Sequence, residues 1–381
     1  MGKKYWISVV IALIFAAYYW TYYSNLATEP ANEDWPTAEQ IASEITMGWN
    51  IGNTLESTDG HNGGETAWGN PQVTPSLIDS VKAAGFNAIR IPCAWNMYID
   101  NQQTWHISDQ WMARVKEVAR YCTDRHIYTI INIHWDGGWL EENPTADKKD
   151  SVNMKQHALW TQIANAMKDF NEYLLFAGAN EIRKDYNTPD TINLQIAMSY
   201  LQTFVDAVRA TGGNNLKRTL IVQSYNTSAS MAQWEYIPHD TVDHRMMLEV
   251  HYYDPYPYTL ADDNNATHYW GEPYKTLGTD SWGQEDHMRT TLDSLGSKFT
   301  TKGMPVIIGE YGATRRSNDA RQTESRAYWY KTFNRLCKDN RIKTFAWDTG
   351  STDSIGMGFF DRNTGAIVDS MALNAIIEGT K

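Results

Sequence analysis

The sequence predicts an α/β protein, a (β/α)8 TIM barrel forming a single catalytic domain, and two observations carry that expectation. Short apolar runs without alternation recur along the chain with longer helical patterns between them. Strands buried on both faces of a closed parallel sheet read this way. Two of these runs also end in a glutamate: Leu174–Ala177 leads to Asn180-Glu181, and residues 305–309 lead to Glu310. A carboxylate just past a buried strand adds nothing to packing, whereas the C-terminal strand ends are where a parallel barrel assembles its chemistry.

The elements follow in order. Lys3-Lys4 precede an apolar stretch from Tyr5 to Trp20 that ends in a Tyr/Trp cluster, with no small-x-small cleavage site after it. Residues 1–23 therefore read as a signal peptide or an uncleaved signal anchor, 24–35 as a linker and 36–381 as the barrel. The apolar run is somewhat short for a full span. Either reading places the remainder outside the cytoplasm, secreted or tethered to a membrane by this segment. No cysteine follows the run, which excludes a lipoprotein. Strands are expected near 47–53, 88–92, 128–133, 174–177, 219–223, 245–251, 305–309 and 343–346. Helices are expected near 76–84, 109–125, 151–171, 191–211, 282–302 and 320–339, with a last one near 370–378. Together they suggest eight strand–helix units. The aperiodic stretch 252–281, rich in Tyr, Pro, Asp and Asn, reads as a large loop on the catalytic face.

Composition narrows the function. A net charge of −12 and the lack of any basic block argue against a nucleic-acid partner and suit a neutral substrate. Cys93, Cys122 and Cys337 show neither metal spacing nor a disulfide framework and read as buried small apolar residues. Sixteen tryptophans exceed the needs of a core this size, and aromatic faces are platforms for the C–H faces of sugar rings. Trp49 and Trp95 read as core. Trp68, Trp135, Trp139, Trp270 and Trp282 lie in loop contexts where a sugar could stack.

Only the strand ends carry a recurring set of polar groups: Asn50 to Asn53, Arg90, His134-Trp135-Asp136, Asn180-Glu181, His251-Tyr252-Tyr253, Glu310 and Trp347. Two carboxylates converging at one rim suggest cleavage of a glycosidic bond. Arg90 in an apolar strand needs a buried anion in any case. His134 and His251 lack a tight ligand cluster, and the first strand has no His-x-His. No metal and no cofactor are expected.

These pieces resemble glycoside hydrolase family 5. They are Gly48-Trp49-Asn50-Ile51-Gly52-Asn53-Thr54-Leu55-Glu56, Gly85-Phe86-Asn87-Ala88-Ile89-Arg90-Ile91-Pro92, Ile133-His134-Trp135, Asn180-Glu181, His251-Tyr252-Tyr253, Gly309-Glu310-Tyr311-Gly312 and Trp347-Asp348, in family order. The first of them is similar to bacterial endo-β-1,4-glucanases. One departure stands out: Ile182 follows the acid glutamate where the family usually has proline.

The resemblance implies Glu310 as nucleophile and Glu181 as acid/base, with carboxyls about 5 Å apart and a retaining double displacement. It also implies that Arg90 and Tyr253 hold Glu310, that Asn180 meets the sugar 2-hydroxyl, and that His134 and His251 line the subsite. Trp347 would be the floor, with Asn53 and Trp135 also on the substrate. The Glu310 anion is expected to raise the pKa of Glu181, keeping it protonated until Glu310 is esterified. The expected substrate is a β-1,4-glucan. The alternatives are xyloglucan, mixed-linkage β-glucan or β-mannan, with a non-catalytic polysaccharide-binding barrel as the competing class. A monomer is expected.

Overall fold

Eight parallel strands close into a barrel in the computed structural model, which describes residues 35–59, 63–316, 319–353 and 355–381. The leader and all but the last residue of the expected linker lie outside the described residues. Thr37–Lys381 form one structural unit. The strands are β1 (Gly48–Asn50), β2 (Ala88–Ile91), β3 (Tyr128–Asn132), β4 (Leu174–Ala177), β5 (Leu220–Gln223), β6 (Met246–Tyr252), β7 (Val306–Tyr311) and β8 (Lys343–Ala346). Each pairs with the next, and β8 returns to β1 with Gly48 opposite Phe345. All three cysteines are buried and free.

The inward-facing positions change character along the strands. Near the N-terminal ends Ala88, Ile130, Ile221, Met247, Ile307 and Phe345 form one apolar cluster. Two residues further along, the same faces carry Arg90, Asn132, Gln223, Glu249 and Gly309. Each strand thus has a packing half and a polar half, divided by a single step of the two-residue period.

A helix preceding the barrel plugs the apolar half. Helix α1 (Ala38–Glu44) starts with a capping box in which Thr37 and Gln40 satisfy each other's backbone N–H groups, and Ala38 N–H donates to the His244 carbonyl at 2.8 Å. Its Ile41, Ala42 and Ile45 enter the barrel cluster. This helix was not anticipated, although Thr-x-x-Gln before an apolar pair is its signature.

The outer ring consists of α2 (Pro75–Ala83), α3 (Asp109–Thr123), α4 (Lys149–Ala166), α5 (Thr191–Ala210), α6 (Glu285–Lys298), α7 (Ala320–Asp339) and α8 (Ser370–Thr380). Trp111, Val115, Val118, Ala119 and Cys122 give α3 one continuous buried face at helical spacing, and α8 packs along α7. The expectation of eight strand–helix units fails at one place. Between β5 and β6 the chain makes only 3-10 turns, at Tyr225–Thr227, Ala229–Met231 and Trp234–Tyr236. The cause is local: Asn226 and Thr227 take positive φ, and the Ser224 hydroxyl bonds the Ser228 carbonyl at 2.8 Å, so side chains compete with a helical ladder. After β2 an unanticipated two-stranded ribbon pairs Ile99–Asn101 with His106–Ile107. The stretch 252–281 contains a helical turn (Tyr256–Thr259) and a 3-10 segment (Glu272–Leu277). Among the described residues no helix is long and apolar enough to cross a membrane.

Candidate active site

Arg90 organises the polar half of the barrel. It projects from β2 and is fully buried. Its Nη1 donates to Glu310 Oε1 at 2.9 Å and to Asn50 Oδ1 at 3.1 Å, and its Nη2 donates to Asn180 Oδ1 at 2.8 Å. Its Nε lies 2.9 Å from Glu249 Oε1. Asn50 in turn donates to the carbonyls of Gly309 and Phe345, so one cation is anchored to four strands.

Glu310 lies within β7, buried. The Tyr253 hydroxyl donates to its Oε2 at 3.1 Å, and burial together with the Glu310 charge pushes that phenol well above its ordinary range, so it remains a donor. Glu181 lies beyond β4 and is more open, with a quarter of its side chain exposed. His251 Nδ1 is 2.8 Å from Glu181 Oε1 and 3.7 Å from Glu310 Oε2. Arg183 Nη1 lies 3.4 Å from Glu181 Oε2, and Glu181 N–H donates to Glu141 Oε1 at 2.8 Å. One oxygen of Glu181, one of Glu310 and one nitrogen of His251 all lie within 4.8 Å of one another. The Arg90 guanidinium and the His251 ring already bring positive charge to that space, which suits a neutral hydroxyl-bearing ligand better than a cation.

The expected lift of the Glu181 pKa is not what the resting site shows. Burial pushes Glu181 up, but the hydrogen bond from His251 and its charge, with help from Arg183 and Arg90, hold the carboxyl below its ordinary value. His251 is the complement. Burial opposes its charge, yet Glu310, Glu181 and Glu249 outweigh burial and push it up to about 10. The resting proton therefore lies on the His251 side of the 2.8 Å bond. His134 behaves oppositely: burial, then the charges of Arg90 and His251, drive it well below its ordinary value, so it is neutral.

His134 stacks parallel to Trp347, with ring centroids 5.9 Å apart and planes 10° apart, and Trp347 N–H donates to the Tyr311 carbonyl at 2.9 Å. The two rings line one side of the mouth. Arg90, Asn180, Glu181, His251, Tyr253 and Glu310 thus form one connected set. Asn53 and Trp135 do not join it. Asn53 serves the loop after β1, with φ 57°, its N–H on Glu56 and its carbonyl on Asn70, while the Trp135 indole donates to Glu142 at 2.9 Å. Trp49 and Trp95 are core, as expected, and Trp270 is also fully buried, its indole N–H on the Gly283 carbonyl, which excludes it as a platform. Trp68 and Trp282 are exposed.

Four buried acidic or amide groups escaped the sequence reading. Glu249 and Gln223 lie beneath His251. Glu141, pushed up to about 8 by burial and then by the Glu181 charge, supports the Glu181 backbone. Glu56, pushed up to about 7 chiefly by burial, ties the N–H groups of Asn53 and Thr54. A charge inside an apolar strand, the signal that singled out Arg90, also marks Glu249 in Leu248-Glu249-Val250.

Residues 51–353 match the model of the cellulase family, glycosyl hydrolase family 5. A xyloglucan-specific endo-β-1,4-glucanase of Bacteroides ovatus is 37% identical over 358 residues, covering 90% of this chain and 70% of that protein. A family 5 xyloglucanase from Paenibacillus pabuli superposes with a TM-score of 0.85 at 34% identity, covering 90% of this chain and 100% of that one. A broad-specificity endoglucanase from Ruminococcus champanellensis, solved with bound cellotriose, gives a TM-score of 0.79 at 34% identity, covering 90% and 98%. With a matched model over most of its length, the chain belongs to the cellulase family, glycosyl hydrolase family 5.

Proposed function

We propose that Glu310 is the nucleophile and Glu181 the acid/base of a retaining endo-β-1,4-glucanase whose preferred substrate is xyloglucan. The observation that carries the chemistry is the approach of Glu181 and Glu310 oxygens to within 4.8 Å, too close to seat a water between nucleophile and sugar. Glu310 attacks the anomeric carbon while Glu181 protonates the departing oxygen. Glu310 loses its charge in the glycosyl-enzyme, and Glu181 then takes a proton from the incoming water. Asn180, held by Arg90, faces the 2-hydroxyl, and Trp347 is the floor of the cleavage subsite.

Two relatives that act on xyloglucan support the choice of a branched glucan, as do exposed rings at Trp68, Tyr186, Tyr256 and Trp282 that an open cleft can use. The relative with bound cellotriose supports a second reading, activity on unbranched β-1,4-glucans as well. Lys3-Lys4 and the apolar run behind them support export, secreted or tethered.

Proton NMR of early products from a soluble cello-oligosaccharide tests the mechanism. The β-anomer is expected first, and an initial α-product would overturn the assignment. A substrate panel of xyloglucan, barley glucan, carboxymethylcellulose and mannan tests the specificity, with the highest kcat/KM expected on xyloglucan. Faster cleavage of mannan would reject it.

A further inference from the structure

Beneath the two carboxyls that face the substrate lies a third, Glu249, on β6 and fully buried. Nothing in the double displacement uses it. Its Oε1 is 2.9 Å from Arg90 Nε and 3.4 Å from His251 Nε2, and its Oε2 accepts from Gln223 Nε2 at 2.5 Å. A Cβ on Gly309 would overlap this carboxylate. At that same point the β6–β7 register slips, from Val250 opposite Ile308 to His251 opposite Glu310. The glycine and the bulge together make the space Glu249 occupies and aim Glu310 at Arg90.

We propose that Glu249 is a positioning residue for both catalytic carboxyls: ionised, it holds Arg90 against Glu310 and His251 against Glu181. Arg90 bonds Glu310 and His251 bonds Glu181, and Glu249 lies against both of these cations from the side away from the working carboxyls.

The charge count shows the consequence. Arg90 and a protonated His251 supply two positive charges, and Glu249 and Glu310 supply two negative ones. The set is neutral when Glu181 carries its proton, the form the first step requires. Burial pushes Glu249 up, but Arg90, His251 and Gln223 outweigh it and keep the carboxyl below its ordinary value. Facing this set are His134 from β3 and Tyr253 beyond β6, both uncharged, and Glu56 beyond β1, which burial and, to a smaller extent, the Glu310 charge push up to about 7. Above Glu181 stand Glu141 and Arg183. Replacing Glu249 by a neutral group leaves the set one unit more positive, so its protons leave at lower pH.

The proposal rests on Glu181 and Glu310 having the roles given above, and its test reads something those roles do not. In Glu249→Gln the alkaline limb of kcat/KM is expected to move down by about one pH unit or more. Its kcat should fall on the order of 10- to 100-fold with KM little changed. Glu249→Asp keeps the charge and should leave the limb in place while lowering kcat. An unmoved limb in Glu249→Gln, or an equal shift in both variants, overturns the proposal. If Glu249→Gln does not fold, nitrogen-15 NMR of the wild-type imidazoles decides, because it reports His251 independently of turnover. A doubly protonated His251 at pH 7.5 supports the proposal, and a neutral ring overturns it.

Discussion

Two histidine–glutamate pairs sit at opposite ends of β6 with the same Nδ1–Oε1 distance, 2.8 Å. His251 and Glu181 lie at the catalytic mouth, and His244 and Glu39 lie where α1 plugs the other end. Distance does not distinguish them; surroundings do. The His251 side chain is 4% exposed and has two further carboxylates within 4 Å, so the charged ring is the stable form. The His244 side chain is 68% exposed, and water and ions screen most of what Glu39 offers. The same two side chains are machinery at one end and a surface contact at the other, because low dielectric and convergent charge amplify one pair only.

The contrast breaks most visibly at the mouth. Glu310→Gln should lose on the order of 10⁴-fold or more in kcat while melting as the wild type does, since covalent catalysis disappears. Retained activity would sink the nucleophile assignment. Next comes Glu181→Gln, which should lose about 10²- to 10⁴-fold on polysaccharide. On an activated aryl glycoside, where the leaving group needs no proton, the variant should lack the alkaline limb. A persisting limb would identify another acid.

Much of this contrast was legible beforehand, and for a physical reason. A buried strand that carries Arg90 or ends in Glu310 breaks the apolar pattern, and breaks of that kind expose a site. The eight strand positions followed from the apolar runs themselves, and the polar groups read at those strands include the six that the structure connects. Glu249 carries the same signal as Arg90 but lies deeper in its strand, three residues before the end of β6, whereas Arg90 is one residue before the end of β2. Helix α1 was hidden for a different reason. Seven residues beside an expected linker are too short to show periodicity, although their capping box was readable. The Glu181–His251 proton could not be read at all: the expectation treated Glu310 as the nearest charge, whereas folding brings His251 closer to Glu181 than Glu310 is to either.

At the plugged end, loss should appear in stability rather than rate. Ile41 is fully buried in the apolar cluster that α1 shares with the barrel strands. Ile41→Ala should cost about 2–5 kcal/mol in urea denaturation through lost burial and a cavity. Its kcat should stay within about twofold of wild type, because the polar half of each strand is untouched. A large fall in kcat at unchanged stability would mean that the two halves are coupled.

The smallest effect belongs to the exposed pair. The hydrogen bond from Glu39, then its charge, raises His244 above its ordinary 6.5. Burial pushes Glu39 up, but His244 together with hydrogen bonds from Glu39's own backbone and from Thr37 outweighs it and holds Glu39 below 4.5. The histidine's contribution is complete below pH 6.5 and fades as pH rises through its raised value. The glutamate's is complete above pH 4.5 and fades as pH falls through its lowered one. The pair therefore helps most between those two values. His244→Asn is the substitution to use, since His244 has φ 58° and asparagine tolerates that region. Its cost should be no more than about 1 kcal/mol between pH 4.5 and 6.5, smaller at pH 8, and reduced by salt. The pH profile of kcat/KM should not move. A larger loss, or one that persists at pH 8 in high salt, would show that exposure does not separate this pair from the one at the mouth.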